Sequence, residues 1–329
     1  MLATATFPVQ TTSAQTPAPQ RSTASKAAAM DVVVTVPPLK GLIEPLLPPG
    51  SRVTTLMKPG RSEHGYEMTA DDVVRVAKAD IFVYVGAGLE AHAEKVLDKR
   101  RARQGTARSG VVCFAEVVGD AKVREVQGHE CTDDHHDHDH THDGAAGDPH
   151  LWLDPVLVKD LVPVLATQVE SALKAKGAWN TDENALLATR TQKLLTEVDA
   201  IDALYRERLK DVTTKSIITH HDAFSRTARR YGLHVAAVVR VGASGESSPG
   251  DLAKVIQAAK DSGAHAIFRE PQYDAKAVER LAARAGLKVL VLDPLGDGDW
   301  FKMMRSNCDA LVDGLTAPKP DAKKPSDGK

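Results

Sequence analysis

Histidine is distributed unevenly along this chain of 329 residues. Residues 133–143 hold five of the thirteen histidines, interleaved with five aspartates. A core rarely buries ionisable groups, so we expect this stretch to be a solvated loop. Neutral imidazoles beside carboxylates offer several sets of two or three ligands for zinc, nickel or copper. The loop therefore indicates a protein that meets transition metals. The alternative is a flexible spacer that binds metal only because His-rich peptides do. As a single high-affinity site the loop is weak, because a flexible loop must be ordered on binding.

Three further histidines stand near the junctions between predicted strands and predicted helices. His64 follows a strand predicted to end at Met57. His150 comes shortly before a helix predicted to begin at Val156, and His221 directly follows a strand of the second half. The carboxyl ends of parallel strands meet at one edge of an open α/β sheet, where such folds bind ligands. Each histidine taken alone is more often an ordinary surface or capped residue, but ligands from both halves would put a metal ion in the cleft between them.

Short runs of β-branched residues alternate with helical patterns in both halves of the chain. The predicted strands are Val32–Val36, Val53–Met57, Ile81–Val85, Val111–Phe114, Ser216–Thr219, Val235–Val239, Ala266–Phe268 and Val289–Leu292. The predicted helices between them are Ala70–Ala79, Leu89–Lys99, Leu252–Asp261 and Ala275–Ala285. This alternation is typical of βαβ units, so we predict an α/β fold of two lobes, each a parallel sheet flanked by helices.

Residues 181–210 depart from this alternation. They include neither glycine nor proline, and their apolar residues recur at helical spacing from Leu187 to Leu209. Asn180 and Glu183, three residues apart, form a capping pair at the start of the predicted helix. Thirty residues at about 1.5 Å each give a rod of roughly 45 Å, longer than one sheet layer is wide. We expect this helix to join the lobes as a stiff linker; a bent helix within one domain is the alternative.

The chain divides into five parts on these patterns. We predict a disordered segment over 1–29, an N-terminal α/β lobe over 30–179 with the His/Asp-rich loop at 129–147, a linker helix over 180–211, a C-terminal α/β lobe over 212–317, and a disordered tail over 318–329. The two ends have too few large apolar side chains to offset the entropy of ordering. The first segment also lacks the basic start and the apolar core of a secretory signal.

Composition excludes two classes of protein. Apolar residues make up 42% of the chain, but the longest apolar runs have about five residues, far short of the roughly 20 that a membrane-spanning helix needs. The net charge is −2, or +3 without the five acids of 133–143, which is too little for a nucleic-acid surface. Cys113, Cys131 and Cys308 are odd in number and widely spaced, so they form neither a thiolate zinc site nor a disulfide framework.

Five short motifs occur along the chain in one order. They are Pro-Gly-x-x-x-His ending at His64, Asp-Pro-His-Leu-Trp-Leu-Asp-Pro around His150, His-Asp-Ala-Phe from His221, Glu-Pro-Gln from Glu270 and Leu-Asp-Pro-Leu-Gly from Leu292. The series resembles the zinc-uptake branch of the metal-binding solute receptors of bacterial ABC transporters, the cluster A-I family. The resemblance covers about residues 31 to 315, and an acidic His-rich loop between the first two ligands is also typical of the zinc members.

The resemblance implies two α/β lobes joined by one long rigid helix, in agreement with the linker inferred above. It also implies that the metal ligands are His64, His150 and His221. We take His221 because the family motif puts the ligand before the aspartate, and His220 is the alternative.

The fourth ligand is less determined. The resemblance favours Asp293, with Glu63 or a water molecule as the alternatives. Glu270 either supports a ligand or is simply an end-of-strand residue. Carboxylates that orient the imidazoles, or that cap helices instead, are Asp148, Asp154 and Asp222.

The implied function is that of a non-enzymatic, monomeric, periplasmic receptor that captures Zn²⁺ between its lobes. It would deliver the ion to an ABC permease and its ATPase. Three imidazoles and one oxygen suit tetrahedral zinc, whereas magnesium and calcium prefer oxygen ligands throughout. A manganese or iron receptor or an adhesin of the same fold is an alternative. A zinc hydrolase with water in an open fourth position is another.

Overall fold

A computed structural model of the protein describes residues 28–58, 60–64, 66–90, 97, 110–126, 147–239 and 249–317. The predicted C-terminal tail, nearly all of the predicted N-terminal disordered segment and of the His/Asp-rich loop, and most of the predicted helix Leu89–Lys99 lie outside these residues.

The first lobe contains a four-stranded parallel sheet in the order β2-β1-β3-β4. Its strands are β1 (Asp31–Val34), β2 (Arg52–Thr55), β3 (Ile81–Tyr84) and β4 (Val111–Cys113). Its helices are α1 (Pro37–Ile43), α2 (Ala70–Lys78), α3 (Phe114–Val118), α4 (Asp120–Arg124) and α5 (Pro155–Ala175). The central strand β3 is apolar and buried along its whole length, as expected for a parallel sheet covered on both faces.

The second lobe repeats this arrangement with a parallel sheet in the order β6-β5-β7-β8. Its strands are β5 (Ser216–Thr219), β6 (His234–Val238), β7 (Ala266–Arg269) and β8 (Lys288–Val291). Its helices, after the interlobe helix α6 (Thr181–Leu209), are α7 (Ser225–Arg230), α8 (Pro249–Ser262), α9 (Ala275–Ala285) and α10 (Trp300–Leu315). The predicted fold class is confirmed, and all eight predicted strands occur within two residues of their predicted ends.

The long helix α6 lies between the two sheets in sequence and packs against helices of both lobes. Asn180 caps its start by accepting a hydrogen bond from the backbone N–H of Glu183 at 2.9 Å, as the capping pair predicts. Its apolar stripe faces α5 and α10, and the hydroxyl of Tyr205 donates to the carbonyl of Met304 at 2.7 Å. Packing on both sides restricts bending of the helix, which supports the predicted stiff linker. The limits of 30–179, 180–211 and 212–317 for the lobes and linker stay a prediction.

The strand order reverses between β1 and β3 in one sheet and between β5 and β7 in the other. Loops that leave the carboxyl ends of such strands converge beside the reversal point. Within the described ranges, no helix combines the length and the hydropathy needed to cross a membrane.

Candidate metal centre

The loop that follows β2 carries Glu63 and His64. The backbone N–H of Met57 still donates to the carbonyl of Thr35 at 3.0 Å, so the loop leaves the sheet only beyond Met57. The backbone N–H of His64 donates to the hydroxyl of Ser62. Glu63 is completely buried, whereas His64 is only half-buried.

His150 lies on a tightly packed segment before α5. Gly147 adopts φ +77°, and a β-carbon there would lie 2.7 Å from the carbonyl oxygen of Val123, so only glycine fits. The backbone N–H and the ring Nδ1 of His150 both lie within 2.9 Å of Oδ1 of Asp148. Two hydrogen bonds to one carboxylate oxygen hold the ring in a single orientation.

A reciprocal pair of tryptophans anchors the same segment to the second lobe. The indole N–H of Trp152 donates to the carbonyl of Pro294 at 2.6 Å, and that of Trp300 donates to the carbonyl of Trp152 at 2.8 Å. Both indoles are completely buried, where an unpaired indole N–H would be costly. The ring centroid of Trp152 lies 5.5 Å from that of His150 in an edge-to-face contact, so the imidazole packs against the anchored indole.

His221 follows the carboxyl end of β5. The backbone N–H of the preceding residue, His220, continues the sheet by donating to the carbonyl of Phe268 at 2.8 Å. Nδ1 of His221 lies 3.0 Å from Oε1 of Glu270, which follows β7. The two central strands of the second sheet thus present an imidazole and the carboxyl that supports it.

The three imidazoles form a compact triangle between the lobes. Their ring centroids lie 5.3 Å apart for His64 and His150, 4.7 Å for His64 and His221, and 5.1 Å for His150 and His221. Nε2 of His150 lies 3.2 Å from Oε1 of Glu63. One candidate ligand atom from each of these four residues lies within 4.8 Å of the other three. The arrangement offers three nitrogens and one carboxylate oxygen to a single metal ion.

The buried carboxylate and the imidazoles around it perturb each other strongly. Burial by itself raises the pKa of Glu63, but the hydrogen bond with His150 and the charges of the three imidazoles outweigh it and lower the pKa to about 2. Burial likewise disfavours charge on His150, but its hydrogen bonds with Asp148 and Glu63 raise its pKa to about 10. At neutral pH these shifts favour an ionised Glu63 beside a protonated His150.

Two further carboxyls stand behind the imidazoles. Burial opposes ionisation of Asp148, but the hydrogen bond from His150 and the charges of His150 and Arg226 lower its pKa. Burial raises the pKa of Glu270, and its hydrogen bond with His221 counteracts this only partly. A carboxylate that accepts from Nδ1 of a ligating histidine fixes the tautomer that leaves Nε2 for the metal. Of the carboxyls considered from sequence, Asp148 and Glu270 occupy such positions.

Asp293, the residue expected to supply the fourth ligand, does not lie in this group of candidate ligand atoms. Its Oδ1 accepts from the side-chain amide of Gln272 at 2.8 Å and from the backbone N–H of Leu295 at 3.0 Å. The carboxylate therefore organises the turn between β8 and α10. Glu63, the alternative suggested by its position next to His64, lies against the imidazoles instead.

His220, the alternative to His221, points elsewhere. Its buried ring packs on the ring of Tyr273, with centroids 4.6 Å apart, and it is not in the group of candidate ligands. Burial and the nearby charge of His221 lower its pKa to about 4, so it is neutral at physiological pH.

The other two aspartates considered as supports have local roles. Asp154 caps α5 by accepting from the backbone N–H of Val156 at 2.9 Å, and it also forms an ion pair with Arg230. Asp222 accepts a hydrogen bond from the hydroxyl of Ser225 at the start of α7.

Residues 32–314 match the family model described as ZnuA, zinc-uptake complex component A, periplasmic. The chain belongs to this family. The match covers both sheets and all four residues of the cluster, so the ZnuA family assignment rests on the whole described architecture rather than on one motif.

Curated relatives of the chain have names that refer to zinc. The zinc-binding protein AdcA of Streptococcus pyogenes serotype M3 is 30% identical over 292 residues, which are 85% of this chain and 55% of AdcA. The chain thus spans about half the length of such relatives. The high-affinity zinc uptake system protein ZnuA of Bacillus subtilis is 28% identical over 304 residues, which are 88% of this chain and 89% of the relative.

Solved structures share the fold. A crystal structure of ZnuA superposes with a TM-score of 0.69 at 23% identity. The match covers 88% of this chain and 100% of the ZnuA chain. The metal-dependent lipoprotein YcdH of Bacillus subtilis superposes with a TM-score of 0.64 at 25% identity, with the same coverage. The two-lobe architecture is therefore that of the ZnuA family.

Proposed function

We propose that this protein is a zinc receptor of an ABC importer, which captures Zn²⁺ between its lobes through Glu63, His64, His150 and His221. The observation that carries the proposal is the convergence of one carboxylate and three imidazoles from both lobes within 4.8 Å. Family membership supports the same reading, since the family description is that of a zinc-uptake component.

The donor set favours zinc over harder cations. Three neutral imidazoles and one carboxylate oxygen suit tetrahedral Zn²⁺, whereas calcium and magnesium select oxygen ligands throughout. With zinc on Nε2, the Nδ1 atoms of His150 and His221 donate to Asp148 and Glu270. Glu63 completes the tetrahedron, so no open position is left for the activated water of a zinc hydrolase. We therefore propose a receptor that has no enzymatic activity.

The partners follow from this role. We propose that the protein works in the periplasm as a monomer and passes its ion to a membrane permease driven by an ATPase on the far side. Periplasmic location is part of the family description. Delivery requires that the ion leave, so the two-lobed site has to bind tightly and still open on docking.

A manganese or iron receptor is the second candidate. An imidazole-rich set favours it less, because softer borderline ions such as zinc gain more from nitrogen donors than manganese does. An adhesin is a third candidate, since the laminin-binding protein Lmb of Streptococcus agalactiae, described as bifunctional with adhesin and metal-transporting activity, shares the fold with a TM-score of 0.63 at 22% identity.

Metal titration tests the proposal. Competition with a chromophoric chelator should show one tight zinc site per chain. Deletion of 133–143 should keep this tight site and remove only weak sites. His64→Ala, His150→Ala and His221→Ala should each abolish the tight site. His220→Ala is the matched control, because this neighbouring histidine packs on Tyr273 outside the cluster, and it should keep the site.

Two results would contradict the zinc reading. One is displacement of zinc by manganese at similar concentrations, which would favour the second candidate. The other is loss of the tight site on deletion of 133–143, which would assign it to the loop instead of the cleft.

A further inference from the structure

The short helix α7 follows the loop of His221 and docks against the first lobe. Three of its side chains cross the interface in addition to Arg226. Thr227 donates to the carbonyl of Leu153 at 2.9 Å. Arg229 pairs with Glu125, and Arg230 pairs with Asp154. These partners flank the segment that carries His150. The helix α7 therefore connects the loop of His221 in the second lobe to the segment of His150 in the first.

Arg226 is the buried member of this set, with only 3% of its surface exposed. Its guanidinium donates to the carbonyls of Lys122, Val123 and Asp148 at 2.9, 2.5 and 2.8 Å. Two of these carbonyls belong to α4, near the helix end where backbone acceptors lack partners within the helix. The fork geometry of arginine is needed to reach all three acceptors at once.

The same guanidinium meets a carboxylate. Nε of Arg226 lies 3.2 Å from Oδ2 of Asp148 in an ion pair, and both side chains are almost fully buried. The other oxygen of that carboxylate, Oδ1, accepts from the backbone N–H and from Nδ1 of His150. Asp148 therefore contacts His150 through Oδ1, and its Oδ2 forms an ion pair without hydrogen-bond geometry with Arg226 of the opposite lobe.

The neighbouring arginines lack this connection. Glu125 and Asp154, the partners of Arg229 and Arg230, make no hydrogen bond to any of the four clustered residues among the contacts of the described chain. Arg226 alone among these three arginines pairs with a carboxylate that itself holds a ligand.

We propose that Arg226 is a positioning residue of the metal centre, which holds Asp148, and through it His150, in the geometry that zinc requires. The proposal rests on the proposed function and deepens it. Since Arg226 belongs to the second lobe and His150 to the first, the orientation of this ligand depends on the docking of α7. A partner that lifts α7 from the first lobe would weaken the site and favour release of the ion.

The test compares Arg226→Gln and Arg226→Lys with the matched control Thr227→Val, which removes a buried interlobe hydrogen bond that does not involve Asp148. Zinc affinity is measured by chelator competition on the full chain, with circular dichroism to establish that each variant is folded. Loss of a group that supports a metal ligand costs about 10- to 100-fold in affinity. We expect a loss of that size for Arg226→Gln, a smaller loss for Arg226→Lys, and less than about threefold for Thr227→Val.

A double-mutant cycle separates positioning from general stability. If Arg226 acts through Asp148, the combination of Arg226→Gln with Asp148→Asn should bind zinc about as weakly as Asp148→Asn alone. The visible absorption spectrum of the Co²⁺-substituted protein should also change in Arg226→Gln and stay unchanged in Thr227→Val. If Arg226→Gln does not fold, the double-mutant cycle and the Co²⁺ spectrum are measured with Arg226→Lys instead.

The inference is overturned if the arginine variants bind zinc like Thr227→Val, or if their loss adds in full to that of Asp148→Asn. Failure of the proposed function looks different. In that case the unmodified protein itself has no tight zinc site, or keeps it after His150→Ala.

Discussion

Nε2 of His64 and Nε2 of His221 lie 2.8 Å apart, although the residues belong to different lobes and are 157 positions apart in the sequence. Tetrahedral zinc with bonds of about 2.0–2.1 Å keeps two ligand nitrogens about 3.3 Å apart. The rings therefore need to separate by only about half an ångström to admit the ion. The tryptophan pair and the Arg226 contacts are further links between the two lobes.

The first prediction concerns the shape of the protein with and without zinc. We expect the radius of gyration to be the same for the metal-free and the zinc-loaded protein in small-angle X-ray scattering, because α6 and the interlobe contacts resist hinge bending. Only the loops around His64 and His150 should adjust. A clear compaction on addition of zinc would show that the lobes close around the ion and would contradict the prediction.

The second prediction concerns the fourth ligand. Glu63→Gln should weaken zinc binding by about 100-fold or more, because it removes the negative charge beside three imidazoles. Asp293→Asn is the matched control and should change affinity by less than about threefold, since Asp293 accepts its hydrogen bonds from Gln272 and Leu295 outside the cluster. Isothermal titration with a competing chelator measures both. The reverse order of effects would restore Asp293 as the ligand.

The third prediction concerns protons. The pKa of His150 is raised to about 10, so the metal-free protein keeps this proton at neutral pH, and zinc must displace it. At pH 8 we expect release of about one proton per zinc, and an apparent affinity that rises about tenfold per pH unit until the pH approaches 10. Calorimetry in buffers of different ionisation enthalpy counts the protons. Glu63, with its pKa lowered to about 2, contributes none.

An unperturbed imidazole, with a pKa near 6.5, would release almost nothing at pH 8. Zero release would therefore show that His150 is neutral in the metal-free protein. Asp148→Asn removes one of the hydrogen bonds that raise the pKa of His150, and it should reduce the number of protons released.

The fourth prediction concerns the edge of the cleft. The hydroxyls of Ser62 and Tyr273 are hydrogen-bonded at 2.9 Å and join loops of the two lobes beside His64 and His221. Tyr273→Phe removes this bond and should speed zinc dissociation by about 2- to 10-fold, measured by stopped-flow with excess chelator. Tyr231→Phe, which breaks a hydrogen bond to Asp202 away from the site, is the control. Equal dissociation rates for the two variants would remove this role from Tyr273.

Much of the fold could be predicted from local patterns. Runs such as Ile81–Tyr84 are apolar throughout because both faces of a parallel strand are buried. The long helix α6 was predictable because it has no helix breaker and begins with the Asn180 cap. The pairing of the strands was not predictable in this way, since strand order depends on contacts between residues far apart in the chain.

The sequence by itself determined which residue types could bind a metal ion, because an imidazole is a metal ligand by its own chemistry, and its position next to a predicted strand end can be read from the sequence. It therefore predicted His64, His150 and His221 and left the fourth position open between neighbours such as Glu63 and distant residues such as Asp293. The tertiary structure brings a carboxylate oxygen of Glu63, and not one of Asp293, close to the rings, since only the packing of the two lobes sets which carboxylate lies there. It also decided that Arg226 meets Asp148, a contact between opposite lobes for which the sequence carries no local signal.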